Sequence, residues 1–266
     1  MASDDRVLGL EHSLEFYRTA LDLLNAHGPP FLVGGTFAYT RYTGLDRGTK
    51  DLDVFVRPGD VARTLALFEN AGYRTELPYP HWLGKVLQGD DLMDVVFSSG
   101  NGVAQVDDDW FTYAAEAEVL GTRLRLCPPE EMIWSKAFVQ ERERFDGADV
   151  LHLLREAGQD LNWTRLVARF GDHWPVLLSH LVLFRFVYPD RRDHVPAAVV
   201  EDLVRRFLAL RDEPGNHVCY GTLLSREQYL FDIGALGYLD PRLGPHGTMT
   251  DTETRIWTDA INKREE

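Results

Sequence analysis

The sequence predicts an α/β (α+β) domain, a mixed sheet flanked by helices over residues 1–128, followed by a mainly helical domain with a turn-rich tail over 129–266. Two observations predict it. Up to residue 127, short apolar or alternating runs recur between turn residues, among them FLVGG, DLDVFV and LMDVVFSSG, and these read as strands. From about residue 130 the apolar residues recur at helical spacing through 146–157, 163–170, 174–188 and 196–211.

Each element has its own signal. Residues 10–27 carry Leu10, Leu14, Phe16, Tyr17, Leu21 and Leu24 at helical spacing and stop at His27-Gly28-Pro29-Pro30. FLVGG is a short buried strand, and TFAYTRYTG a short helix closed by Gly44. In DLDVFV, residues 51–56, alternation sends Asp51, Asp53 and Phe55 to one face and Leu52, Val54 and Val56 to the other. Pro58-Gly59-Asp60 is a turn whose aspartate suits the N-cap of a helix bearing Val61, Leu65 and Phe68. YRTELP, HWLGKVLQ and LMDVVFSSG follow as extended segments, and TRLRLCP is a further strand. Pro129, Glu130 and Glu131 supply first-turn chemistry for the next helix. The tail after about residue 214 is rich in turn residues and has no clear period.

Composition narrows the function. Apolar residues make up 44% and charged residues 26% of 266, an ordinary globular balance with enough mass for a sizeable core. The net charge of −14 disfavours a broad grip on nucleic acid, which needs a basic face, and favours a small or cationic acceptor. The two cysteines, Cys127 and Cys219, lack metal or redox spacing and read as plain thiols in a reducing compartment. No secretory signal is visible in MASDDRVLGLEHSLEF, and the longest apolar run, VLLSHLVLFRFVY, is too short to span a bilayer. A cytoplasmic protein is expected.

The chemistry lies between residues 31 and 94. Asp51 and Asp53 leave one face of a strand about 7 Å apart, a separation that lets two carboxylates converge on divalent ions. Asp94 sits among apolar strand neighbours, where a carboxylate is costly unless paired, hydrogen-bonded or on a metal. Oxygen-only ligands suit Mg²⁺, whereas no His/Cys cluster has zinc spacing. Gly34-Gly35, between a strand and a helix N-terminus, gives a backbone that a phosphate can approach. The pattern is neither GxGxxG nor GxxxxGK[ST].

Together these parts resemble the nucleotidyltransferase superfamily, of polymerase-beta-like fold. That family's pattern is a hydrophobic strand ending in Gly-Gly or Gly-Ser, then acid-x-acid, then an isolated third strand acid. The resemblance covers residues 30–100, with a weaker continuation through 130–157. It implies that Gly34 and Gly35 bind a triphosphate and that Asp51 and Asp53 coordinate two Mg²⁺ ions. Asp94 would complete the metal site and act on an acceptor hydroxyl. Thr36 offers a hydroxyl beside the phosphates, where other members have serine at the second glycine position. Arg47 and Lys50 flank the acid strand, and Lys136 on the later helix is the favoured phosphate contact. The implied reaction is Mg²⁺-dependent transfer of a nucleoside monophosphate from an NTP to a hydroxyl, with release of pyrophosphate. Antibiotic-modifying relatives act on small molecules, and toxin-type relatives on tRNA or protein. A non-catalytic nucleotide-binding protein of the same fold is the third reading.

Plainer roles exist for the same residues. Asp51 and Asp53 read otherwise as a solvated strand start, Asp94 as a turn residue after Asp90 and Asp91, and Arg47, Lys50 and Lys136 as solvated cations. Asp107–Asp109 reads as an exposed acidic loop and His81 as an ordinary histidine. Asp146 and Asp149 read as helix cap and first-turn acid. Trp163, Phe170, Trp174, Phe184 and Phe186 read as core packing.

Overall fold

The structure is a computed structural model that describes residues 2–46, 48–212 and 214–260, with side chains from residue 13 onward. Arg47 therefore lies outside the described residues. The chain divides into two compact units: residues up to 100 together with 105–128, and 101–104 together with those from 129 on.

In the first unit, helix α1 (Ala2–His27) buries Phe16, Tyr17, Ala20, Leu21 and Leu24 along one stripe. It ends where Pro29 and Pro30 can no longer supply a helical N–H. Strand β1 (Leu32–Val33) is fully buried and leads into α2 (Gly35–Thr43), closed by Gly44 at φ 68°. Strand β2 (Leu52–Phe55) alternates as its sequence requires, with Leu52 and Val54 buried and Asp53 and Phe55 half-buried. Asp60 takes the N-cap position of α3 (Val61–Asn70), but its side chain makes no capping bond there. Strands β3 (Arg74–Tyr79), β4 (Leu83–Gln88) and β5 (Asp91–Val96) form an antiparallel run, with α3 against β3 and β4.

Asp107–Asp109 is no loose acidic loop. Asp107 accepts a hydrogen bond from the Asp109 N–H and so caps α4 (Asp108–Thr112). The helix buries Trp110, which stacks on Phe55 with ring centroids 5.4 Å apart. Strand β6 (Ala115–Val119) pairs with β7 (Thr122–Leu126) through a two-residue turn, Leu120-Gly121, with φ 53° and 87°. The sequence reading missed β6. AEAEV has no β-branched residue before its last position, and a leucine at positive φ is not the Asn-Gly or Asp-Gly signal of such a turn.

The seven strands form one mixed sheet in the order β3-β4-β5-β2-β1-β7-β6. β1 runs antiparallel to β2 and parallel to β7, and β2 runs parallel to β5. Cys127, just past β7, is buried, and Cys219 is half-buried.

The second unit contains α5 (Pro129–Ala137), α6 (Gly147–Ala157), α7 (Trp163–Phe170), α8 (Trp174–Val187) and α9 (Ala197–Ala209), then the short α10 (Leu230–Gly234) and α11 (Asp251–Asp259). Its centre is partly ionic. Glu130 and Glu131 do more than complement the α5 dipole: both are buried and ion-paired with Arg165 of α7, and Arg169 Nε lies 2.9 Å from Glu131. Burial drives the Glu131 carboxyl up, and the two guanidinium groups only partly offset it. In the turn-rich tail, α11 opens on a full capping box between Thr250 and Glu253. Among the described residues, no helix is long and apolar enough to cross a membrane.

Of the five aromatics expected in the core, Trp163, Phe170 and Phe184 are buried and Trp174 is half-buried, but Phe186 is 83% exposed. His180 is buried in α8, its Nε2 2.9 Å from the Ala137 carbonyl oxygen. Burial depresses its pKa below the ordinary imidazole value, the carbonyl bond only partly opposing that. The unfolded chain therefore takes up a proton at His180 before the folded chain does. Stability is present above the unfolded pKa of about 6.5 and is lost as pH falls from there through the lower folded pKa. Gln140 also donates to the Ala137 carbonyl, so His180→Leu leaves that oxygen paired. In urea titrations from pH 7.5 to 5, the unfolding free energy of the wild type should fall more steeply than that of His180→Leu, by about 1.4 kcal/mol for each pKa unit of depression.

Candidate active site

The register of β2 and β5 places the acids. Strands β2 and β5 run parallel with Asp53 opposite Asp94, about 4.8 Å apart in the backbone. Strand β4 continues the row, because Lys85 is paired in register with Asp94 and Glu76 of β3 with Lys85. Cross-strand partners share a face, so Asp53, Asp94, Lys85 and Glu76 make a polar row across four strands. The alternate positions, Leu52, Val54, Met93 and Val95, are wholly buried. A one-residue slip of β5 would bury Asp94 and expose Met93, so the hydrophobic pattern itself fixes this row. Asp51 lies two residues before Asp53, just ahead of β2, and Thr49 Oγ1 donates to its backbone oxygen at 2.5 Å.

The glycines meet the acids directly. Gly35 opens α2 at φ 51°, and a Cβ built there would overlap the Oδ2 atom of Asp53. Only glycine allows both the backbone conformation and the close carboxylate. Gly34 is constrained from the other side, where a Cβ would collide with the ring of Phe55 and lie 3.1 Å from Cys127 Sγ. Phe55 is backed by Trp110 and has little room to give. The Gly34 N–H bonds the Asp53 carbonyl at 3.0 Å, tying the glycines to the acid strand. Gly35, Thr36 and Phe37 form the first turn of α2, whose N–H groups have no acceptor within the helix. That end of α2 suits an anion, and Thr36 stands half-buried within it.

Electrostatics shows the crowding of the carboxylates. Burial raises the Asp94 pKa, the ion pair with Lys85 pulls it back and Asp51 pushes it up again; the net direction is upward. Lys85 Nζ lies 2.8 Å from Asp94 Oδ1, with both side chains mostly buried. From α1, the Tyr17 hydroxyl is buried with no hydrogen-bond partner among the described residues. Its pKa is raised to about 12, first by burial and then by Asp51, Asp91 and Asp53.

The sequence resemblance implies a divalent metal at these acids. Three carboxylates with oxygen-only ligation fit Mg²⁺ chemically. The upward shift of Asp94 comes first from burial, with Asp51 adding to it, a cost that a divalent cation would relieve. As the side chains stand, no group of three or more His, Cys, Asp or Glu among the described residues closes on one point, and Lys85 holds one Asp94 oxygen. Asp51, Asp53 and Asp94 would therefore hold the ion with some rotation of their side chains.

The cations expected at the phosphates have different surroundings. Lys50 is exposed in the turn before β2. Lys136 belongs to the second unit, where it is no solvated surface cation: its Nζ lies 3.0 Å from Asp149 and 3.4 Å from Asp146. Asp146 stands at the N-cap position of α6 but makes no capping bond; it binds Lys136 and Arg144 instead. Those two cations outweigh burial and hold its pKa below the usual carboxylate range. His81 is engaged with the Gly100 carbonyl oxygen at 3.0 Å.

No protein-family model matches the chain, and no curated protein matches it. Solved structures do. The chain is similar to the lincosamide antibiotic adenylyltransferase LnuA, lincomycin-bound, at 14% identity and a TM-score of 0.38, over 53% of this chain and 94% of that one. ANT(2")-Ia in complex with adenylyl-2"-tobramycin is similar at 17% identity and a TM-score of 0.36, over 66% and 98%. JHP933 from Helicobacter pylori is similar at 12% identity and a TM-score of 0.36, over 77% and 97%. These likenesses are too slight to carry an argument. The functional reading rests on the residues themselves.

Sequence reasoning missed Lys85 and Tyr17. A lysine between Gly84 and Val86 in an otherwise apolar strand was the available signal for Lys85, the counterpart of the one that marked Asp94. Lys85→Met should cost about 1–3 kcal/mol in urea unfolding, because it leaves a mostly buried carboxylate without its cation. Adding Asp94→Asn should recover part of that loss, and the double-mutant cycle measures the pair.

Proposed function

We propose that the chain is a Mg²⁺-dependent nucleotidyltransferase that moves a nucleoside monophosphate from an NTP to a hydroxyl of a small-molecule acceptor. The observation that carries this reading is the packing of Gly35 against Asp53 while Asp53 stands in register with Asp94. It unites an anion-binding helix end and a carboxylate row in one place. A solvated strand start would have no reason to exclude a Cβ from the neighbouring turn.

In this reading the free N–H groups at the start of α2, with Gly34, Gly35 and the Thr36 hydroxyl, bind the triphosphate. Lys50, exposed in the turn before β2, adds charge to it. Asp51, Asp53 and Asp94 would hold two divalent ions, which would supply neutralisation of the triphosphate charge. Asp94 accepts the proton of the acceptor hydroxyl. The acceptor oxygen forms its bond to the α-phosphorus as the bond to the bridging oxygen breaks, and pyrophosphate leaves. Lys85 fixes the Asp94 carboxylate by holding one of its oxygens.

The net charge of −14 favours a small acceptor over tRNA. A protein acceptor, and a nucleotide-binding protein without transferase activity, are the competing outcomes of the assay.

The test is incubation with α-labelled NTPs, Mg²⁺ and a panel of hydroxylated acceptors, comparing the wild type with Asp51→Ala plus Asp53→Ala. The double variant should lose more than about 100-fold in transfer, the scale of a single misplaced electrostatic group. Transfer that survives it sinks the site assignment. NTP binding without transfer to any acceptor favours the binding-protein reading, and labelling of tRNA or protein replaces the small acceptor.

Gly35→Ala separates geometry from stability. The left-handed backbone costs an alanine about 1–2 kcal/mol, a loss visible as a modest fall in Tm. Transfer should drop at least tenfold beyond the loss of folded protein, because Asp53 must swing away from the new methyl group.

A further inference from the structure

The outer face of α8 and α9 is apolar and uncovered. α8 reads WPVLLSHLVLFRFV, hydrophobic on every side, a pattern that belongs to helices buried all round. Leu177, Leu178, Leu181 and Phe184 are indeed buried, but Val182, Leu183 and Phe186 point outward, Phe186 with 83% of its surface exposed. Its neighbour α9 is stranger still. Val204, Phe207 and Leu208 follow Leu203 at helical spacing, yet Leu203 is the one buried side chain among the thirteen residues of the helix. Phe207 is 57% and Leu208 66% exposed. α8 and α9 pack on each other, so these six residues lie on two neighbouring helices of the second unit.

We propose that this face is the interface with a second copy of the same chain. The area argues for it. The six side chains offer roughly 600 Å² of apolar surface per copy. Two copies together with their rims then reach the roughly 1,200–2,000 Å² of a stable complex. A monomer that left this face in water would carry a patch at the top of the range tolerated in solution. An anionic lipid or nucleic-acid surface would instead meet a chain of net charge −14.

The test is the mass of the intact chain in solution by light scattering. It is run at roughly 20 µM, above the micromolar dissociation constant of the weakest standard-size interfaces. The wild type should run at twice the 30.3 kDa of one chain. Phe186→Glu with Phe207→Glu should halve that mass. Both side chains are exposed, so the far-ultraviolet circular dichroism and Tm of the variant should match the wild type's, which keeps misfolding from imitating the result. Phe231→Glu with Leu236→Glu, at 69% and 53% exposed on another part of the same unit, should leave the dimer intact. A monomeric wild type overturns the proposal. So does a dimer that survives the α8–α9 variant, or one that is broken only by the control.

Discussion

The parallel pairing of β2 with β5 is the interaction on which the site depends. It sets Asp53 against Asp94, and through β4 it brings Lys85 to the same row. Nothing local in the sequence forces two acids forty-one residues apart into register. What forces it is the other face: Leu52, Val54, Met93 and Val95 are all buried, and any odd slip would trade one of them for a charge. The hydrophobic core therefore positions the polar row. The row in turn bears a cost, visible in the upward shift of Asp94, that Lys85 offsets only in part.

The glycines act by what they lack. Gly34 gives its side-chain space to Phe55, and Gly35 gives its own to the Asp53 carboxylate. The turn from β1 into α2 is thereby pressed onto β2 from two directions, with the Gly34 N–H bonded to the Asp53 carbonyl between them. A helix end with unpaired N–H groups and a carboxylate pair would ordinarily repel a common anionic ligand at the second site as strongly as the first attracts it. Their closeness makes chemical sense when a cation neutralises the carboxylates, and the oxygen-only donor set is suited to one.

Much of this was legible in the residues. The strands FLV, DLDVFV and LMDVVF announced themselves by apolar runs and alternation, and the helices from α5 to α9 by a period that tertiary packing did not override. The acids were legible because a charge inside an apolar strand is expensive and so must have a reason. What stayed hidden depends on partners far along the chain. The strand β6 has weak propensity and exists because β7 pairs with it across a turn of unusual sequence. Glu130 and Glu131 looked like first-turn acids, because the arginines that bury them lie more than thirty residues away on α7. Lys136 looked solvated for the same reason until α6 brought Asp146 and Asp149 to it.

Phe186 teaches the converse. Its helical spacing placed it among core aromatics, and the error is informative because the pattern was sound: the sequence of α8 is that of a helix covered on all sides. Periodicity reports which faces of a helix avoid water and is silent on which molecule covers them. Residues that satisfy the pattern but remain exposed, as Phe186, Phe207 and Leu208 do, are where the chain's own packing stops short of what its sequence calls for. A single exposed phenylalanine would need no explanation. Several such residues on two packed helices, one of them with a single buried residue, do need one, and a second copy would supply a matching surface without any further partner.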